Sequence, residues 1–455
     1  MNATGELAAR LAGSKLVLDQ QKMDVYRRDQ AHLAEPGHPL AVLLAESTND
    51  VSVALAWAGK HGISVVTRGA GSGLSGGAAA IDGCLVLSTA RMTTIHEISV
   101  EDQLAVVDAG VINADVDRAA AAVGLMYAPD PSSHEISTIG GNIATNAGGL
   151  RCVKYGVTRD SVLGLEVVLA DGAVIHTGHR TVKGVTGYDL TSLLVGSEGT
   201  LGVITQATLR LRPRPTATPA MVIGNFPSLR AAGDAVASVI RMGRSPSLLE
   251  LIDRPTLQAI DDWKHIGLES DTEAILIAQA DGVDAESSAQ AMRADFENAG
   301  ATFAAFSSDE QEAAQFIGIR RMVYPALERL GRCLVEDVVV PRSKLPDLLN
   351  RIGQIATGHG VTIMTVAHAG DGNVHPTFVF EPLPGGAVPD QVWAAAGDVF
   401  HAALELGGTL TGEHGVGTLK TRWLSLELGE TALALQRSIK NVFDPVGILN
   451  PGKAL

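Results

Sequence analysis

Two histidines frame a glycine-containing turn in HAGDGNVH (368–375), and an acid and a histidine stand side by side in TLTGEHGVG (409–417). Imidazole and carboxylate bind divalent cations, and imidazole also moves protons near neutral pH. The flanking runs VTIMTVAHA and NVHPTFVF are apolar and β-branched, which predicts a hairpin. With Asp371-Gly372 as a two-residue turn, His368 faces His375 with Cβ atoms about 5 Å apart, close enough to share one ion. Shifting the register by one residue removes that opposition. A third ligand is needed, and Glu413 or His414 can supply it. If 412–415 is extended, the two side chains point oppositely, one towards a metal and the other towards a substrate. The plainer alternatives are two hydrogen-bonded histidines near a turn, and an exposed loop.

Glycine concentrates in two further runs. RGAGSGLSGG (68–77) matches GxGxxG at Gly71, Gly73 and Gly76. A dinucleotide fold needs a long helix after that loop. Here AAAIDG follows and the chain returns to strand-like CLVLS, so the fingerprint reading is set aside. A glycine-dense loop can still cradle phosphate with backbone N–H groups. STIGGNIATNAGG (137–149) is a second such stretch, with Asn142, Thr145 and Asn146 as extra polar groups. Two of them in one domain fit a diphosphate ligand.

The elements that position these groups follow from periodicity. Residues 40–67 predict strand, helix, strand: LAVLLA, then a stretch after Asn49 with Val51, Ala54, Leu55 and Ala58 at helical spacing, closed by Gly62, then ISVVT. CLVLS (84–88), LAVVDAG (104–110), LEVVLADG (165–172) and AVIHT (173–177) add short strands, the last hairpin-like. RPRPTATP (212–219) has the composition of a linker. Beyond it, PAMVIGNF, SLRAAGDAVASVIRMG and SLLELID form one strand–helix–strand unit, and EAILIAQA, AESSAQAMRADFENAG and TFAAFSS form another. That repetition predicts an antiparallel sheet backed by helices, ferredoxin-like in type.

The 455 residues call for two or three domains. The net charge of −15 disfavours nucleic acid and anionic membrane as partners. No apolar run reaches the ~18 residues of a membrane span, and MNATGELAARLAGSKLVL lacks the pattern of a signal peptide. Cys84, Cys152 and Cys333 form no zinc or redox spacing, so the expected location is cytoplasmic.

RGAGSGLSGGA, APDPSS (128–133), STIGGNIATNAGG, GYDLTSLLVGSEGTLGVIT (187–205), HAGDGNVH, TGEHGVGTLK and ILNPGK occur in one order over residues 40–455. Together they resemble the FAD-linked D-2-hydroxyacid dehydrogenases of the vanillyl-alcohol-oxidase superfamily. That family includes cytochrome-type D-lactate dehydrogenase, the flavin subunit of glycolate oxidase and D-2-hydroxyglutarate dehydrogenase. The resemblance implies an α+β fold: a two-part PCMH-type (p-cresol methylhydroxylase) FAD-binding domain over 1–215, a ferredoxin-like antiparallel-sheet cap carrying substrate and metal over 216–412, and a segment, 413–455, returning to the FAD domain. It implies FAD pyrophosphate at Arg68, Gly69, Ala70, Gly71, Ser72, Gly73 and Gly76, and at Gly140, Gly141, Asn142, Thr145, Asn146, Gly148 and Gly149. Pro129, Ser132, Ser133, Gly199 and Ile204 would lie near the flavin, and Asn450 would reach it from the tail. Ser72 stands where relatives with covalent flavin have histidine, so the FAD is expected to be noncovalent.

The same resemblance assigns His368, His375 and Glu413 as ligands of a divalent metal, zinc first with manganese or iron as alternatives. It assigns His414 as catalytic base and Arg320, in FIGIRRMVYPAL, as the arginine that binds the substrate carboxylate. For Arg320 the plainer reading is a solvated helix face. Relatives specific for 2-hydroxyglutarate carry a lysine two residues before the aspartate of the strand matching VEDVVVPR, and an asparagine two residues after the second metal histidine. Here those positions are Val335 and Thr377. The expectation is therefore oxidation of a small D-2-hydroxy acid, D-lactate-like or glycolate, to the 2-oxo acid. The alternatives are D-2-hydroxyglutarate, a flavin subunit of a multi-subunit glycolate oxidase that is inactive alone, or a metallohydrolase without flavin. The electron acceptor (cytochrome, quinone, electron-transfer flavoprotein or oxygen) carries no motif, and a homodimer is compatible with the sequence.

Overall fold

Residues 40–67 form a strand (Ala41–Leu44), a helix (Thr48–His61) and a second strand (Val65–Arg68) in the computed structural model, which describes residues 3–11, 15–31 and 36–455. The helix begins before Asn49: Ser47 is its N-cap, its Oγ accepting from Asp50 N at 3.2 Å. Ser47 is in extended conformation with its oxygen over the first turn, which is what a cap requires. Gly62, at φ +63°, ends the helix as expected.

The chain divides into two compact units. The first comprises Met1–Gly149, Gly156–Arg214 and Glu413–Leu455. It contains a four-stranded sheet in the order Leu16–Val17, Ala41–Leu44, Leu85–Ser88, Val65–Arg68, the last three parallel. Trp57, Leu43, Leu85 and Leu449 are buried in its core. The tail joins this sheet: Leu449 bridges Val65, and Asn450 N donates to Val65 O at 2.8 Å. A five-stranded antiparallel sheet follows the order Ile95–Ser99, Leu104–Asp108, Val203–Arg210, Val162–Val168, Val174–Gly178. The proline cluster is not wholly a linker. Arg212–Pro213 pairs with Leu125–Met126, and the second unit takes up the chain at Pro215.

The second unit comprises Leu150–Tyr155 and Pro215–Gly412. Its antiparallel sheet runs Phe303–Ser307, Ala220–Phe226, Ala274–Ala280, Leu248–Asp253, Thr362–His368, Asn373–Phe380, Arg332–Val335. The first four strands and the helices Leu229–Arg241 and Ala285–Asn298 are the two predicted strand–helix–strand repeats in ferredoxin-like arrangement. Helices Arg254–Lys264 and Glu310–Glu328 bury Leu257, Ile260, Val323 and Leu327 with Ile252, Ile277, Met364 and Val366 of the sheet. Among the described residues, no helix is long and apolar enough to cross a membrane.

Candidate active site

The histidine hairpin forms, but not with the expected register. His368 lies opposite Asn373, and His375 opposite Val366. The connection is a four-residue loop rather than an Asp371-Gly372 turn: Asp371 N donates to His368 O at 3.0 Å and Gly372 N to Ala369 O at 3.3 Å. Gly372 adopts φ +77°, and a Cβ there would lie 2.2 Å from Val340 O, so a close neighbour and a left-handed residue select the longer loop. The register is displaced by two residues, not one, so both side chains stay on the same face. Their ring centroids are 5.0 Å apart, and His368 and His375 are 3% and 5% exposed.

Glu250 stands directly across from His368 on the neighbouring strand. Its Oε1 is 2.7 Å from His368 Nδ1, and its Oε2 accepts from Arg320 Nε at 2.9 Å. Burial pushes the Glu250 carboxyl up, but His368 and Arg320 outweigh it and hold the group below the usual range. An ionised carboxylate only accepts, so Nδ1 of His368 carries the proton of this bond and Nε2 is the ring atom that could bind a cation. Two imidazoles so arranged fit a zinc-type cation. Arg320 is thus no surface arginine. Arg321 beside it is exposed.

Asp337 is fully buried near His375, with Oδ1 3.7 Å from Nδ1. Its Oδ2 accepts from Thr411 Oγ1 at 2.7 Å and from Gly412 N at 2.8 Å, which fixes the segment immediately before Glu413 in the chain. Val335 and Thr377 are cross-strand partners, and Met364 opposes Thr377 from the other side. This row is two residues along the sheet from the row of His375.

In the first unit, the two glycine stretches meet. A Cβ on Gly69 would lie 2.2 Å from Thr138 Oγ1 and 3.7 Å from Gly141 Cα. Gly140, Gly141, Asn142 and Thr145 are not loop residues; they belong to the short helix Ile139–Thr145, capped by Thr138. Ser137 Oγ, Asn142 Oδ1 and Asn450 Oδ1 are buried with no hydrogen-bond partner among the described residues. Asn450 Nδ2 donates to Gly77 O and Glu198 O, and Gly199 packs beside Asn450 and Thr67. These orphaned acceptors and close backbones fit a large polar ligand such as FAD. Arg68 turns inwards, Nη1 donating to Arg28 O at 2.7 Å, and Asn146 Oδ1 is used by Arg159 N. Ala70, Ser72, Gly73 and Gly76 continue the first loop; Pro129 is buried, Ser132 exposed, Ser133 part-exposed, and Ile204 lies in the strand Val203–Arg210. Gly149 sits against Asp130 O.

The loop bearing Glu413 and His414 is held by groups that no motif reading singled out. Glu198 Oε1 and Oε2 accept from Val416 N and Gly417 N, each at 2.8 Å. Burial pushes the Glu198 carboxyl up in spite of those bonds. Ser75 Oγ is 3.0 Å from His414 O and 2.9 Å from Gly415 O. His414 Nε2 is 4.0 Å from Glu413 Oε1. Gly148 leaves room for Glu413: a Cβ there would be 2.3 Å from Oε2.

Comparison with known proteins finds two family matches along the chain. Residues 39–178 match the family described as FAD binding domain, and residues 215–454 match the family described as FAD linked oxidases, C-terminal domain. The chain is 42% identical to glycolate oxidase subunit GlcD of Bacillus subtilis (strain 168), over 91% of this chain and 88% of that protein. It is 36% identical to a D-lactate dehydrogenase of Archaeoglobus fulgidus, over 97% and 98% of the two chains. The solved structure of p-cresol methylhydroxylase with substrate bound shares the fold, with TM-score 0.81 and 17% identity over 99% of this chain and 96% of that one.

Proposed function

The chain belongs to the FAD-linked oxidases, and on that premise we propose that it is a metal-assisted dehydrogenase oxidising a D-2-hydroxy acid, D-lactate-like or glycolate, to the 2-oxo acid. When bound, FAD supplies the hydride acceptor for C2 and a divalent ion supplies a Lewis acid for the 2-hydroxyl. His368 and His375 hold the ion, with Glu413 as third ligand by resemblance. Arg320 binds the substrate carboxylate through the guanidinium edge that Glu250 leaves open. His414 takes the hydroxyl proton. The substrate thus loses the proton of its 2-hydroxyl and the hydride of C2, and C2–O becomes a carbonyl.

The observation that carries this reading is the set His375, His368, Glu250, Arg320: a pair of imidazoles and an arginine joined through one buried acid. The pairing of Val335 with Thr377, flanked by Met364, supports an apolar substrate tail over a distal carboxylate. Because the B. subtilis relative is named as a subunit, dependence on partner chains is the second reading.

The test is anaerobic titration of the purified flavoprotein with D- and L-2-hydroxy acids, following the oxidised flavin band at about 450 nm. Bleaching by D-lactate, glycolate or a longer aliphatic D-acid is expected. Persistence of the band with every acid would refute independent turnover, and bleaching chiefly by D-2-hydroxyglutarate would refute the substrate preference.

A further inference from the structure

Glu250 is the only acid in the strand SLLELID before its terminal Asp253, and it is 1% exposed. A buried carboxylate is costly unless paired. This one is paired twice, with partners 118 and 70 residues away in the chain. We propose that Glu250 is a shared positioning residue that fixes the metal ligand His368 and the carboxylate clamp Arg320 together, so that metal affinity and substrate affinity depend on the same side chain. The proposal deepens the functional reading above and rests on it.

Each half follows from geometry. Oε1 receives the Nδ1 proton of His368, which selects one tautomer and aims Nε2 outwards as a ligand. Oε2 receives Nε of Arg320, the inner corner of the guanidinium, and leaves Nη1 and Nη2 as the fork that matches a second carboxylate. The helix Glu310–Glu328 is locked to the same sheet face by Val323, Ala326 and Leu327, so Arg320 approaches from a fixed direction. Glu250 also offsets one positive charge where a guanidinium and a divalent cation would otherwise repel each other.

Glutamine keeps the shape of Glu250 but can present a donor to Nδ1 and has no charge. In the metal-depleted flavoprotein labelled with 15N-histidine, the His368 ring, identified by its loss in His368→Gln, is expected to carry its proton on Nδ1. A neutral ring with its proton on Nε2 alone overturns the proposal without any Glu250 variant having to fold. In Glu250→Gln, purified yellow with full FAD content, zinc affinity measured by competition with a chromogenic chelator should fall about 10–100-fold. KM for the bleaching acid, at saturating zinc, should rise by a similar factor. Glu250→Asp, which restores the charge, should recover part of both losses. Arg320→Lys should raise KM sharply and leave zinc affinity within about twofold, because a point charge cannot replace the fork but Glu250 still holds His368. Zinc affinity or KM unchanged in Glu250→Gln overturns the shared role. A parent protein that binds zinc but bleaches with no 2-hydroxy acid refutes the functional reading alone, and the tautomer and zinc measurements still decide Glu250.

Discussion

His414 and Glu413 are adjacent in sequence, yet the proposed chemistry needs them for different tasks. His414→Ala should slow flavin reduction by roughly 10²–10⁴-fold and leave zinc affinity nearly intact, whereas His375→Ala should lose the metal. Equal metal loss in the two variants, read by metal analysis after dialysis, would remove His414 from the role of base. Gly148 offers a sharper test, since it is no ligand itself. A Cβ there would press on Glu413 Oε2 at 2.3 Å, and the carboxylate end would have to move. Gly148→Ala should therefore lower zinc affinity about tenfold or more in protein purified with FAD bound. Zinc binding equal to the parent would show that Glu413 is not a ligand.

Elements place these residues through their ends. Asp253 closes the strand that carries Glu250 and caps the next helix: Oδ1 accepts from Thr256 N at 3.0 Å and Oδ2 from Thr365 N, on the histidine strand, at 2.9 Å. Burial raises its carboxyl to about 6. A carboxyl with a folded pKa above its unfolded value stabilises fully below the unfolded value, and that contribution is lost as pH rises through the folded one. Urea midpoints should therefore show the parent losing ground to Asp253→Asn between pH 4 and 7, and a difference independent of pH would exclude ionisation of Asp253 as the cause. The histidine hairpin illustrates the same dependence on ends. Its strands follow from the apolar runs in the sequence, whereas its register follows from how Gly372 fits beneath Val340 O.

At the scale of the molecule, the glycine stretches, the orphaned acceptors of Ser137, Asn142 and Asn450, and the loop held by Glu198 all belong to one unit built from three pieces of chain. Added FAD should slow amide exchange at 68–77, 137–149 and 197–204, and leave the strands 220–226 and 303–307 of the other unit unchanged. Hydrogen-exchange mass spectrometry reads this directly, and equal protection of both groups would contradict confinement of the pyrophosphate site to the first unit.

The sequence by itself determined the local features. Alternating apolar runs are enough for the strands, glycine density for close backbone approach, and paired imidazoles around a turn for a hairpin with both rings on one face, because each depends on residues a few positions apart. The motif order carried the family as well. What only the tertiary structure decided are the relations across long separations. No periodicity links Glu250 to His368 and Arg320, or Glu198 to the amides of Val416 and Gly417, 218 and 219 residues away. Strand order and helix packing bring them together, and burial then makes a hydrogen-bonded partner for each charge compulsory.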